Sequence, residues 1–214
     1  MKKVLLDAHT HTVASGHAYS SLQEMAKAAA DMGLEVLGIT EHGPSVPGTC
    51  PTLYFKNMFV VPRQMYGVRL LMGCEINILD TKGCLDLTDE QIGWLDIAIA
   101  GVHAAWYQAG TKGENTQGLV NVIKNPKIHI ISHPGDGSCE LDFEPLVLDL
   151  GNVISDAVLP TLLLLYLSDA RYRSGWPAYG IIRFQSLSAR LRPDLDCNDC
   201  QAYGLLLTSH ARPR

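Results

Sequence analysis

The sequence lacks long apolar runs and carries little charge. Its longest apolar stretch, residues 158–167, contains Pro160 and is roughly half as long as a membrane-spanning helix. Charged residues make up 18% of the chain and the formal net charge is -5, so no basic surface is expected to attract nucleic acid. The sequence therefore predicts a globular protein of one main domain that has neither a membrane span nor nucleic acid as a partner.

A secretion signal and a disulfide framework are also lacking. The apolar run near the start of the chain, residues 4–6, ends after three residues. The six cysteines are scattered over positions 50, 74, 84, 139, 197 and 200. We therefore expect reduced thiols and a cytoplasmic protein. Cys197 and Cys200 have Cys-x-x-Cys spacing, but a single pair of this kind is weak evidence for zinc or redox chemistry.

What the sequence does contain is a pattern of histidines that follow apolar strands. His9 and His11 come after the run at residues 4–6, and in an extended chain they point the same way and can grip one metal ion. Four further runs predict strands at residues 36–40, 68–73, 95–100 and 127–131. Each is closely followed by a potential ligand, in the order His42, Glu75, His103 and His133.

Helical signals lie between these strands. Ser20 or Ser21, with Glu24 as the partner of Ser21 in a capping box, predicts the start of a helix that Gly33 ends. The apolar face of this helix is expected to consist of Met25, Ala28, Ala29 and Met32. A second helix is predicted over residues 117–124.

The strands and ligands recur together about every 30 residues, as βα units do. In parallel α/β folds the functional groups lie at the carboxyl ends of the strands, so the ligands are expected to converge in one cup. His17, in the loop after the first strand, is counted with them. His129 lies inside the predicted fifth strand and is expected to pack rather than to bind a metal.

The candidate ligands are therefore six histidines and a single acid, Glu75. One ion takes four to six ligands, so this set predicts two or three ions, with zinc expected and manganese or iron as alternatives. Glu75 is expected to bridge two ions, and Glu75 and His133 are the candidate catalytic residues. Because no Ser-His-Asp order, nucleophile elbow or Gly-rich phosphate loop is present, metal-activated hydrolysis is favoured over covalent catalysis.

Six short motifs carry these ligands: Asp7-Ala8-His9-Thr10-His11-Thr12, Gly16-His17, Thr40-Glu41-His42-Gly43, Gly73-Cys74-Glu75-Ile76-Asn77, Gly101-Val102-His103 and Ser132-His133-Pro134-Gly135. Together they resemble the PHP (polymerase and histidinol phosphatase) domain family. They are most similar to its small stand-alone bacterial phosphatase branch, and the similarity covers residues 1–148.

The resemblance implies an α/β fold, a distorted (β/α)7 barrel, with a trinuclear zinc or mixed-metal site that hydrolyses phosphate monoesters. It implies that His9, His11 and Glu75 bind the first ion, that Glu75, His103 and His133 bind the second, and that His17 and His42 bind the third. Glu41 is expected to orient an imidazole from outside the ligand set.

The chain departs from the family pattern after about residue 148. The family has an Asp-x-His at its last strand, and residues 149–214 contain none; Asp169 and Asp194 are the nearest replacements. All eight lysines lie at or before Lys127, the last glutamate is Glu144, and seven of the nine arginines lie at or after Arg171. We therefore expect a metal-dependent hydrolase domain over residues 1–148 and an atypical segment over residues 149–214, with an incomplete barrel. An Arg-rich tail that folds normally is the alternative.

Three functions remain open at this point. The first is a phosphatase acting on a small phosphorylated substrate. The second is a metal-dependent nuclease, which the lack of a basic patch disfavours. The third is a metal-binding protein whose incomplete ligand set holds ions without turnover. The sequence does not identify the substrate, and it leaves a homo-oligomer open.

Overall fold

The computed structural model describes residues 6–144, 146 and 181–182. The predicted change near residue 148, the candidate replacements Asp169 and Asp194, and the pair Cys197 and Cys200 lie outside the described residues. The described strands are β1 (Leu6–Thr10), β2 (Val36–His42), β3 (Gln64–Met65), β4 (Val68–Ile78), β5 (Ile97–Val102), β6 (Ile130–Ile131) and β7 (Ile181–Ile182). The described α-helices are α1 (Leu22–Asp31), α2 (Thr52–Asn57), α3 (Asp89–Ile92) and α4 (Lys112–Lys124). Two 3-10 helices, Val13–Ser15 and Met58–Val60, complete the set.

The strands form one sheet in the order β1-β2-β4-β5-β6-β7. The neighbours from β1 to β6 are parallel, β7 pairs antiparallel with β6, and β3 pairs antiparallel with β4. The parallel strands curl into a half-barrel, which confirms the predicted incomplete barrel of α/β type. Because all these strands run the same way, their carboxyl ends lie at one edge of the sheet.

The strands differ in length from the sequence predictions. β2 continues through His42 and β4 continues to Ile78, so Glu75 lies inside β4 rather than after it. The reason is pairing: His42 lies opposite Glu75, and Glu75 lies opposite Ile99, so the backbone ladder holds the chain extended beyond the apolar runs. The fifth predicted strand is shorter than expected and is reduced to Ile130–Ile131.

The helices begin where capping residues place them. Ser21 caps α1 in a capping box with Glu24, as predicted, and Thr111 caps α4 in the same way with Glu114, which starts α4 at Lys112 rather than at residue 117. The predicted apolar face of α1 was right in part. Ala29 is buried and Met25 packs against the core, but Ala26 is buried too, whereas Ala28 and Met32 are exposed. No described helix is long and apolar enough to cross a membrane.

The core has two parts, one on each face of the sheet. The larger part packs helices against the sheet around Phe55, Leu37 and Ile76. The smaller part lies on the other face and consists of Leu6, Ala8, Leu71, Ile97, Ile99 and Ile130. Residues two apart on a strand share a face, so Leu71 lies on the same face of β4 as Glu75. The smaller part of the core is therefore an apolar floor beneath the strand ends.

Candidate metal centre

Glu75 lies at the centre of the strand ends and is only 1% exposed. Its Oε2 atom lies 3.1 Å from His9 Nε2, 3.3 Å from His11 Nε2 and 3.2 Å from His42 Nδ1. These rings come from β1, the residue after it and the end of β2. They meet at Glu75 because β1 pairs with β2 and β2 pairs with β4.

The second oxygen of Glu75 faces the other side of the half-barrel. Oε1 lies 2.9 Å from His133 Nε2 and 3.5 Å from His103 Nε2, and it accepts a hydrogen bond of 2.8 Å from Ser132 Oγ. His103 follows β5, and Ser132 and His133 follow β6. The two oxygens of Glu75 therefore serve two separate groups of histidines.

His17 lies at the exposed margin of this cluster. Its ring centroid is 4.9 Å from that of His11 and 4.7 Å from that of His42. The structure thus brings together all seven side chains that the sequence predicted as ligands, namely His9, His11, His17, His42, Glu75, His103 and His133. Side chains of His9 and His133, 30% and 20% exposed, leave the cluster open to solvent on one side.

His129 lies apart from the ligand contacts described above. It is buried, and its Nδ1 atom accepts a hydrogen bond of 2.9 Å from the backbone N–H of Ala98 in β5. Its ring therefore serves the packing of β5 against the segment before β6.

Three groups of side chains are close enough together to hold a metal ion. They are His11, His17 and His42; His9, His11 and Glu75; and His42, Glu75 and His103. The second group matches the first ion that the resemblance implied. The third group contains His42 where the resemblance implied His133, although His133 also contacts Glu75.

The histidines of the cluster differ in pKa, and so in charge at neutral pH. Burial lowers the pKa of His11, and burial lowers the pKa of His42 to about 3. Burial also raises the pKa of Glu75, but the surrounding histidines, His9 foremost, outweigh this effect and hold that pKa well below its usual range. At neutral pH Glu75 is a carboxylate, and the rings of His11 and His42 are neutral, which is the form that binds metal.

His133 is held differently. Its φ of 28° lies in the left-handed region, which costs a non-glycine residue on the order of 1–3 kcal/mol, and strain of this kind is often found at functional sites. Its Nδ1 atom lies 3.0 Å from Asp136 Oδ2. Burial lowers the pKa of His133, but Asp136 and Glu75 together raise it to about 10. An ion bound at His133 Nε2 therefore has to displace a proton.

Several polar residues behind the ligands were not predicted from the sequence. Ser15 lies against His11, Asn77 lies against His103, and Asp86 holds Asn77. Asn77 could have been found, because it follows Glu75 by two residues and so shares its face of β4. Glu41 accepts a hydrogen bond from Ser15, which lies against His11, so among the described contacts it reaches an imidazole through Ser15 rather than directly.

The donor set fits a divalent metal. Neutral imidazoles around a carboxylate are the ligands that zinc, manganese and iron take in proteins. In the described part of the chain, Nδ1 of His42 is buried and makes no hydrogen bond, although it lies 3.2 Å from Glu75 Oε2. An unpartnered ring nitrogen that faces a carboxylate is what a site for a cation requires.

Comparison with known proteins identifies the family of this chain. The model of the PHP domain family matches residues 7–134, and the chain belongs to this family. The chain is 50% identical over 145 residues to a probable phosphatase of Clostridium novyi (strain NT), covering 68% of this chain and 59% of that protein. It is 45% identical over 143 residues to a probable phosphatase of Caldicellulosiruptor bescii, covering 67% and 60%. The chain therefore spans about three fifths of the length of these curated relatives.

Proposed function

We propose that this protein is a metal-dependent phosphatase that hydrolyses phosphate monoesters. The observation that carries the proposal is the buried Glu75 carboxylate, whose two oxygens are contacted by five histidine rings. The printed names of the relatives, probable phosphatases, support it. The unit that performs the reaction is proposed to be residues 1–148.

The proposed ions number two or three, with zinc as the expected metal and manganese or iron as alternatives. His9 and His11 would hold one ion on the Oε2 side of Glu75, and His103 and His133 would hold another on the Oε1 side. His17 and His42 would hold a third. A carboxylate can bridge two ions, whereas a neutral imidazole binds one, so Glu75 is the proposed bridge.

Bound divalent ions would supply a water acidic enough to be a nucleophile near neutral pH, together with positive charge for the phosphate oxygens. The described ion pairs of Glu75 are all with histidines, and the chain has a net charge of -5. A phosphate group therefore depends on the ions for most of its charge compensation. His9 and His133 border the open side of the cluster and His17 lies at its exposed margin, and a small phosphorylated substrate would enter there.

The proposed roles of Glu75 and His133 follow from their contacts. Glu75 is a carboxylate, and each of its two oxygens faces one group of histidine rings. Ser132 Oγ donates a hydrogen bond to Oε1 and holds that oxygen in place. His133 presents Nε2 to the same oxygen at 2.9 Å, while Asp136 faces its other nitrogen. A metal ion at Nε2 would take the place of the proton on that atom, and Asp136 would hold the remaining proton on Nδ1, so His133 is proposed to be a ligand next to the reacting atoms.

A second candidate function is metal binding without turnover. It is favoured by the sequence of residues 149–214, which contains no Asp-x-His to complete the ligand set of the family. On this account the first and third ions each lack one ligand and the hydrolytic rate is low or zero.

The cytoplasmic location, a homo-oligomeric state and the identity of the substrate stay predictions or open questions.

The experiment that tests the proposal is a phosphatase assay on the zinc-loaded chain. We expect release of phosphate from an aryl phosphate monoester, loss of that release after treatment with a chelator, and no digestion of single-stranded DNA. Full metal content without hydrolysis would instead establish the non-catalytic function. DNA digestion would establish the nuclease, and a chain that binds no metal would contradict all three.

A further inference from the structure

Ser15 links a metal-binding candidate to a buried carboxylate. Its hydroxyl donates a hydrogen bond to Glu41 Oε2, and Glu41 is fully buried. Ser15 Oγ also accepts a hydrogen bond of 3.1 Å from the backbone N–H of His42 and lies 3.1 Å from Nδ1 of His11. A hydroxyl has one proton to donate, and Ser15 donates it in a hydrogen bond to the Glu41 carboxylate. Ser15 Oγ can therefore only accept from His11, which requires a proton on Nδ1.

Asn77 forms an equivalent link on the other side of Glu75. Its side-chain Nδ2 donates a hydrogen bond of 2.6 Å to Asp86 Oδ2, and its backbone N–H donates one of 2.9 Å to Asp86 Oδ1. An amide that donates through Nδ2 to a carboxylate must turn its oxygen the other way. Oδ1 of Asn77 accordingly lies 2.8 Å from Nδ1 of His103. An amide oxygen only accepts, so Nδ1 of His103 also needs a proton.

Asp86 is itself held in place by its surroundings. Its Oδ2 atom accepts a further hydrogen bond of 3.0 Å from the backbone N–H of Ser45. Gly43 makes room for the carboxylate, because a Cβ atom at position 43 would lie 2.4 Å from Asp86 Oδ2. The orientation of the Asn77 amide is thus determined by neighbours that cannot exchange donor and acceptor roles.

We propose that Ser15 and Asn77, anchored by Glu41 and Asp86, are positioning residues that keep a proton on Nδ1 of His11 and His103. Each ring then has only Nε2 left for a metal ion, and in both rings Nε2 is the atom that faces Glu75. The relevance to catalysis rests on the proposed function, but the position of the proton does not. An acceptor behind a ligating histidine fixes its tautomer and raises its basicity, and its loss typically costs about 10–100-fold in metal affinity.

The test is a nitrogen-15 NMR spectrum of the histidine rings, recorded on the full chain with and without zinc. In the unchanged protein, Nδ1 of both His11 and His103 should carry a proton in both states. Asn77→Leu removes the acceptor behind His103 alone, and Ser15→Ala removes the one behind His11 alone. Each variant should release the Nδ1 proton of its own ring and leave the other ring unchanged, so each serves as the control for the other.

Zinc affinity, measured by competition with a chelator, should fall about 10–100-fold in Asn77→Leu and in Ser15→Ala. A spectrum of the unchanged protein with Nδ1 of either ring unprotonated would overturn the proposal, even if a variant failed to fold. If both Nδ1 atoms carry a proton but the chain has no phosphatase activity, the proposed function is wrong and the proposal about Ser15 and Asn77 is still supported.

Discussion

Replacing Glu75 with glutamine removes one charge and keeps the shape of the side chain. Two of the three possible metal groups contain Glu75, and its two oxygens contact different histidines. Loss of a residue that supports a metal ligand typically costs about 10–100-fold in affinity, or roughly 1.4–2.7 kcal/mol per ion, and loss of a ligand should cost at least as much. Acting on two ions, Glu75→Gln is expected to weaken total metal binding by at least about 3 kcal/mol. His9→Ala belongs to one group and should cost about half as much.

The measurement is the zinc content of each variant after dialysis against chelators of graded affinity. Glu35→Gln is the matched control, because Glu35 is exposed and lies before β2 rather than in the cluster. Circular dichroism checks that each variant is folded. Retention of full metal content by Glu75→Gln, or a larger loss in His9→Ala, would refute the bridging role.

Three further predictions concern the scaffold. Gly38→Ala would place a Cβ atom 2.4 Å from the backbone oxygen of Ala8, and it should lower the free energy of unfolding in urea by about 1–3 kcal/mol. Gly113→Ala is the control, because a Cβ atom at this position of α4 meets open space and should stabilise the chain slightly. Phe55→Ala empties a fully buried position of the core and should cost about 3–5 kcal/mol in the same assay; a cost under 1 kcal/mol would show that the site collapses. Burial raises the pKa of the Cys50 thiol to about 12, and the thiolate is the reactive form, so a thiol reagent at pH 8 should leave Cys50 unmodified until the protein unfolds or the pH approaches 12. Rapid labelling of Cys50 in the native protein, mapped by mass spectrometry, would contradict this.

The meeting of ligands was predictable because it depends on a repeated local pattern. Each apolar run ended near a histidine or glutamate, and parallel strands bring their carboxyl ends together. The length of β4 was not predictable in this way, since Glu75 and Asn77 look like loop residues until pairing with β2 and β5 is known. Glu75 is polar and buried, and it lies within a strand only because its backbone pairs with His42 and Ile99, which are distant in sequence.

The remaining differences have similar causes. The apolar face of α1 was assigned to Met25, Ala28, Ala29 and Met32, whereas the helix turns so that Ala26 and Ala29 are buried and Ala28 and Met32 are exposed. The role of Asp86 depends on a loop that returns to β4 and on the space left by Gly43. The φ of His133 is a tertiary constraint without a sequence signal of its own.

The most direct test of the central claim is a metal count on the purified full chain by elemental analysis, with Glu75→Gln measured in parallel. The histidine cluster around a buried carboxylate predicts two or three divalent ions per chain, with most of them lost in the variant. A chain that binds no divalent ion, or a variant that retains as many ions as the unchanged protein, would contradict it.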